Sequence, residues 1–77
     1  MENIDSSQAF LNRESIAGVE YQHNDYVRVI DGPHQGKTGS LVWLFTIETE
    51  PEFLVELEVG GDIQLRQSQL CLISHDS

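Results

Sequence analysis

Phe53-Leu54-Val55-Glu56-Leu57-Glu58-Val59 places a large apolar residue at every second position, the period that a β-strand produces and a helix does not. The run reads as a strand with Phe53, Val55, Leu57 and Val59 on one face and Leu54, Glu56 and Glu58 on the other. Upstream, a strand is expected from Ser40 to about Glu48, and another at Tyr26-Val27-Arg28-Val29-Ile30, which sends Val27 and Val29 to one side. Gly32, Pro33, Gly36 and Gly39 punctuate the loop between them. Downstream, Ile63 to Arg66 and a short piece around Leu70 to Ile73 complete five strands. Connections this short leave no room for crossover helices, so the fold class is all-β: a small five-stranded antiparallel barrel or half-barrel.

Register follows from loop length, because residues opposed in a hairpin share a face. If Thr49-Glu50-Pro51 closes the first hairpin, 47 faces 53, 45 faces 55, 43 faces 57 and 41 faces 59. Leu41, Trp43, Phe45 and Ile47 then join Phe53, Val55, Leu57 and Val59 in one core, a burial pattern that favours an odd loop of three or five residues. Around Gly60-Gly61-Asp62 the same logic pairs Leu57 with Leu65 and Val59 with Ile63 inside, and Glu56 with Arg66 outside.

Residues 1–24 are rich in Ser, Asn, Gln and Glu and form a polar N-terminal segment; 25–73 are densely apolar and form the barrel; 74–77 are a C-terminal tail. Asp5 followed by Gln8 has the spacing of a capping box, and Ile4, Phe10, Leu11 and Ile16 could line a short helix ending near Gly18. A frayed tail is the competing reading.

Thirteen acidic residues against four basic ones leave a net charge of -9 over 77 residues. Leu, Ile, Val and Phe make up 23 of the 77, above the roughly 20% below which an acidic chain stays disordered. The longest uncharged stretch, Thr38 to Ile47, is ten residues, where a membrane-spanning helix needs about 20. With one cysteine, Cys71, which its neighbours Leu70 and Leu72 mark as a buried small hydrophobe, the chain reads as cytoplasmic.

The stretch from Asn24 to Leu41, Asn-Asp-Tyr-Val-Arg-Val-Ile-Asp-Gly-Pro-His-Gln-Gly-Lys-Thr-Gly-Ser-Leu, resembles the KOW motif of NusG-type elongation factors and certain large-subunit ribosomal proteins. Asp25, Val27, Val29, Gly32, Gly36 and Gly39 fall on the motif, while Asn24 stands for its opening Gly and Leu41 for its closing Val. Three glycines within eight residues would supply the positive-φ positions of a sharp reversal, with Pro33 setting one turn. The resemblance implies an SH3-like barrel and contact with RNA, ribosome or RNA polymerase through a loop comprising Arg28, Gly32, Pro33, His34, Gly36, Lys37 and Gly39. Charge opposes that role: over 25–73, three basic residues meet eight acidic ones. Two phosphate contacts would give a salt slope of only about -1.8.

Catalysis and cofactors are not expected. His23, His34 and His75 have no metal-ligand spacing, Cys71 and His75 are separated by four residues near the chain end with nothing else to suggest a pocket, and Gly36-Lys37 lacks the spacing of a phosphate loop. The outward face carries more information. In the register above, Val42, Leu44 and Leu54 form an apolar patch rimmed by Glu48, Glu52, Glu56 and Glu58, the layout of a surface for a protein partner that is basic at its rim. Two readings compete with it: a bent second strand that buries parts of both faces, and an N-terminal segment that lays Phe10 and Leu11 across the patch. The sequence therefore points first to a non-catalytic acidic binding module, one version being an inhibitor or immunity-type protein for a basic partner. The alternative is the KOW-type role in transcription or translation; a homodimer through the outer faces is a third.

Overall fold

The computed structural model describes residues 6–75. A short helix, α1 (Ser6–Leu11), precedes five strands: β1 (Tyr26–Val29), β2 (Thr38–Thr46), β3 (Glu52–Leu57), β4 (Asp62–Arg66) and β5 (Leu70–Ser74), with a 3-10 turn over Gln67–Gln69. All pairings are antiparallel, in a single sheet of order β4-β3-β2-β1-β5. This is the expected all-β, five-stranded antiparallel fold, with the short helix realised. The core is Phe10, Val27, Val29, Leu41, Leu44, Phe53, Val55, Leu57, Leu65 and Leu70.

β1 and β3 behave as their alternation requires. Val27 and Val29 are buried, as are Phe53, Val55 and Leu57, and the residues between them face outward. β3 stops at Leu57, because residues 58–61 form a turn: the Leu57 amide donates to the Gly61 carbonyl at 3.0 Å and the Gly60 amide to the Leu57 carbonyl at 3.0 Å. Gly60 and Gly61 take φ of 104° and 88°, conformations in which a Cβ is strained. Val59 therefore sits in the turn, 75% exposed, and not in the core as its parity suggested. With the turn there, Phe53 pairs Leu65 and Val55 pairs Ile63. These pairs are displaced by four positions from the expected ones, an even shift that keeps every β3 and β4 residue on its expected face.

β2 departs from the expectation. Its pairs with β3 are Leu41 with Val55, Trp43 with Leu54, Leu44 with Phe53 and Thr46 with Glu52, with shifts between Leu41 and Trp43 and between Leu44 and Thr46. Each shift is a β-bulge, two residues of β2 against one of β3. Inward positions thus become Gly39, Leu41 and Leu44, and Phe45 and Ile47 are 44% and 37% exposed instead of buried. The connection to β3 is the five-residue alternative, 47–51.

α1 ends at Leu11, well before Gly18. Its Phe10 does not cross the outer face; it enters the core, 5.6 Å from the Phe53 ring and 5.7 Å, edge-on, from His23. The Ser7 hydroxyl donates to the carbonyl of Leu44, next to the second bulge, where a ladder partner is interrupted and another donor is needed. Farther along, the Glu20 amide donates to Gln67 Oε1 at 2.8 Å, Gln67 Nε2 to the Gly18 carbonyl at 3.1 Å, and the Tyr21 hydroxyl to the Leu70 carbonyl at 3.1 Å. The segment before β1 is thereby tied to the 3-10 turn and β5. Ile4 and Asp5, with the capping-box reading, lie outside the described residues.

Candidate functional site

The two bulges decide what the outer face displays. Leu54 lies between buried Phe53 and Val55 and so points away from the core. Val42 and Trp43 stand opposite it on the neighbouring strand, and Phe45 and Thr46 stand opposite Glu52. Val42, Trp43 and Leu54 are half-buried and Phe45 is exposed, a continuous apolar stripe across β2 and β3. Leu44, expected in this patch, is fully buried, because the first bulge advances the strand by one residue and turns it inward. Trp43 and Phe45, expected in the core, take its place. Strict alternation hid this, and no residue in β2 signals a bulge by itself.

The carboxylates around the stripe are of two kinds. At one end, Glu52 Oε1 accepts from Gln64 Nε2 at 2.7 Å, and Glu50 accepts from the Ser68 amide at 2.8 Å and pairs with Arg66 at 3.5 Å. At the other end, Glu56 faces Ser40 on β2 and Asp62 on β4, and Glu58 Oε1 accepts the Thr38 hydroxyl at 3.2 Å. Among the described residues no ion pair reaches Glu56, Glu58 or Asp62. Glu48 is exposed in the loop after β2, its amide donating to Thr46 Oγ1 at 3.2 Å.

The glycine loop has the expected reversal, built differently. Gly32 and Gly36 take φ of 90° and 96°, and the Gly36 amide donates to the Val29 carbonyl at 2.8 Å while the Val29 amide donates to the Lys37 carbonyl at 2.8 Å. Gly39 does not use positive φ. It lies where β2 meets β3 so closely that a Cβ would stand 2.3 Å from the Glu56 carbonyl oxygen, so what it supplies is proximity and not turning. Arg28 and Lys37 are exposed, as is Pro33, and His34 is half-buried with its Nδ1 buried and unpartnered. Arg66 stands three strands from Arg28 and is engaged by Glu50, so it does not extend the cations of the glycine loop.

Two features escaped the sequence reading. Asp25 is fully buried, its carboxylate accepting the Gln22 amide at 2.8 Å and meeting His75 Nδ1 at 3.1 Å; fifty residues separate the partners in sequence, so spacing could not reveal them. Cys71, expected to be buried, is exposed on β5 because Leu70 and Leu72 take the inward parity. An open cleft of about 360 Å³ lies beside His75, lined by Glu14, Ile16, Glu20 and Tyr21 among others. The Tyr21 phenol there is held above its usual range, first by burial and then by the charges of Glu20, Cys71 and Asp25. No group of three or more His, Cys, Asp or Glu residues that could hold a metal ion occurs among the described residues, nor does a helix long and apolar enough to cross a membrane. No protein-family model matches the chain, and no curated protein matches it.

Proposed function

We propose that this protein is a non-catalytic acidic binding module that docks a protein partner on the outer face of β2 and β3. The observation that carries the reading is the doubly bulged β2, which brings Val42, Trp43 and Phe45 out beside Leu54 within a border of Glu48, Glu52 and Glu56. An aromatic and aliphatic centre inside a charged rim is the composition of a protein-binding surface. A chain at -9 would draw in a basic partner by long-range attraction. An inhibitor or immunity-type role toward a basic toxin or nuclease is one form of this reading. The exposed Cys71 thiol suits a reducing compartment, and we assign the cytoplasm.

Capture from native extract with the wild-type chain and with a Trp43→Ala/Leu54→Lys variant, followed by shift mapping of the captured complex, tests the reading. The wild type alone should retain the partner, with truncation of Trp43 costing about 2 kcal/mol of binding. A partner held equally by both chains, or shifts confined to another surface, overturns it. The inhibitor form further requires association to slow as salt rises, and a salt-independent on-rate removes that form.

A second reading, the KOW-type role on RNA, ribosome or polymerase, draws on the glycine loop: Gly32 and Gly36 sit at positive φ, and Arg28 and Lys37 are exposed. Its test is Lys37→Glu. Unchanged RNA affinity in that variant, or no measurable affinity at physiological salt, disposes of it.

A further inference from the structure

The docking face is not symmetric about its apolar stripe. Across the sheet, Gln64, Leu54 and the Val42–Trp43 bulge form the middle row. On one side lies the row Arg66, Glu52 and Thr46; on the other lies Asp62, Glu56 and Ser40, with Glu58 just beyond. The first side is internally compensated, since Glu52 is engaged by Gln64 and Glu50 by Arg66 and the Ser68 amide. The second opposes two carboxylates directly across β3 and β4, an arrangement that costs a sheet stability. Ser40 gives that row no charge, and neither Arg28 nor Lys37 forms an ion pair with it. At a net charge of -9 a second copy of this chain is repelled overall, and the uncompensated corner calls for a cation.

We propose that the face has a direction: the partner is a protein segment that sets an apolar side chain over Trp43 and Leu54 and a lysine or arginine on the Glu56–Asp62 corner, leaving the Glu50–Glu52 corner unused. The inference rests on the docking reading above and deepens it. A cation seated there relieves the carboxylate repulsion on binding, so the same corner both attracts the partner and destabilises the free chain.

Two measurements test it. In the first, free of any partner, Glu56→Gln and Asp62→Asn should each raise Tm by about 2 °C at low ionic strength. The gain should vanish by about 0.5 M salt, and Glu52→Gln should bring none. No gain at Glu56 or Asp62 overturns the proposal. In the second, the tripeptide acetyl-Arg-Leu-Arg-amide is titrated at millimolar concentration into the full chain by amide and indole shift mapping. Shifts centred on Ser40, Trp43, Leu54, Glu56 and Asp62 that disappear in Glu56→Gln/Asp62→Asn and persist in Glu50→Gln/Glu52→Gln support it. Shifts lost on Trp43→Ala yet indifferent to Glu56 and Asp62, or centred on Glu50 and Glu52, overturn the direction and leave the docking face standing. No shift on this face at all overturns both.

Discussion

β2 and β3 are neighbours in one sheet and carry similar apolar content, yet they use it differently. β3 buries Phe53, Val55 and Leu57 and turns Leu54 and Glu56 between them to the outer face, Leu54 half-buried and Glu56 exposed. β2 buries Gly39, Leu41 and Leu44, two steps and then three, because a bulge inserts Val42 between the last two and a second inserts Phe45 after them. A regular strand can present only half of its side chains to solvent. Two bulges let β2 present Val42, Trp43, Phe45 and Thr46 while contributing two leucines to the core. Irregularity is thus what gives the outer face its aromatic centre, in keeping with the tendency of bulges to re-aim side chains at functional surfaces.

The largest expected effects test that contrast directly. Phe53→Ala should cost about 3–5 kcal/mol and Leu44→Ala about 2–5 kcal/mol, as buried truncations do, whereas Phe45→Ser should stay near 0.5 kcal/mol as a surface change. Denaturant unfolding of the three variants decides: a costly Phe45 and a cheap Leu44 would restore strict alternation to β2 and remove the bulges. Next is Gly39→Ala, whose Cβ meets the Glu56 carbonyl at 2.3 Å and must push β2 from β3. Overpacking of this kind costs about 1–3 kcal/mol, and chemical-shift changes should localise to Gly39, Glu56 and Leu57; a neutral substitution would mean the two strands are not in such close contact. Of similar or smaller size is Asp25→Ala, which strips the Gln22 amide of its acceptor and His75 of its partner. About 1–3 kcal/mol should be lost, with Asp25→Asn recovering part of it through the same turn.

The smallest effect is a pH dependence on the β3 side, where the Tyr21 ring packs 5.9 Å from that of Phe53. Burial and nearby negative charge raise the Tyr21 pKa in the folded state, while in the unfolded chain it titrates at about 10. Its contribution is therefore complete below about pH 10 and is lost as pH climbs through the folded value, where only the unfolded phenol has ionised. Unfolding midpoints of wild type and Tyr21→Phe should diverge above pH 10, the wild type falling faster, with absorbance at 295 nm following the ionisation. Parallel curves would place Tyr21 in solvent.

How far the sequence carried depended on whether local or distant groups set each feature. Period two pointed to strands at 26–30, 53–59 and 63–66, which the structure sets at 26–29, 52–57 and 62–66, and the faces of Phe53, Val55, Leu57 and Leu65 followed from parity alone, which survived a register displaced by four. The glycines announced the reversal between β1 and β2. Trp43, Phe45 and Leu44 were misassigned because an inserted residue is chosen by the partner strand and by what covers the barrel: Phe10 fills the core beside Phe53, and Ser7 takes the Leu44 carbonyl.

By itself, then, the sequence determined a five-stranded antiparallel sheet, the inward set of β1, β3 and β4, and an acidic surface, since alternation, turn residues and charge act between near neighbours in the chain. Tertiary structure alone decided the bulges, the outward Trp43 and Phe45, the division of the carboxylates into compensated and opposed groups, and the joining of Asp25 to His75. Each of these depends on which backbone lies opposite, a choice made only when strands far apart in sequence pack around a shared core.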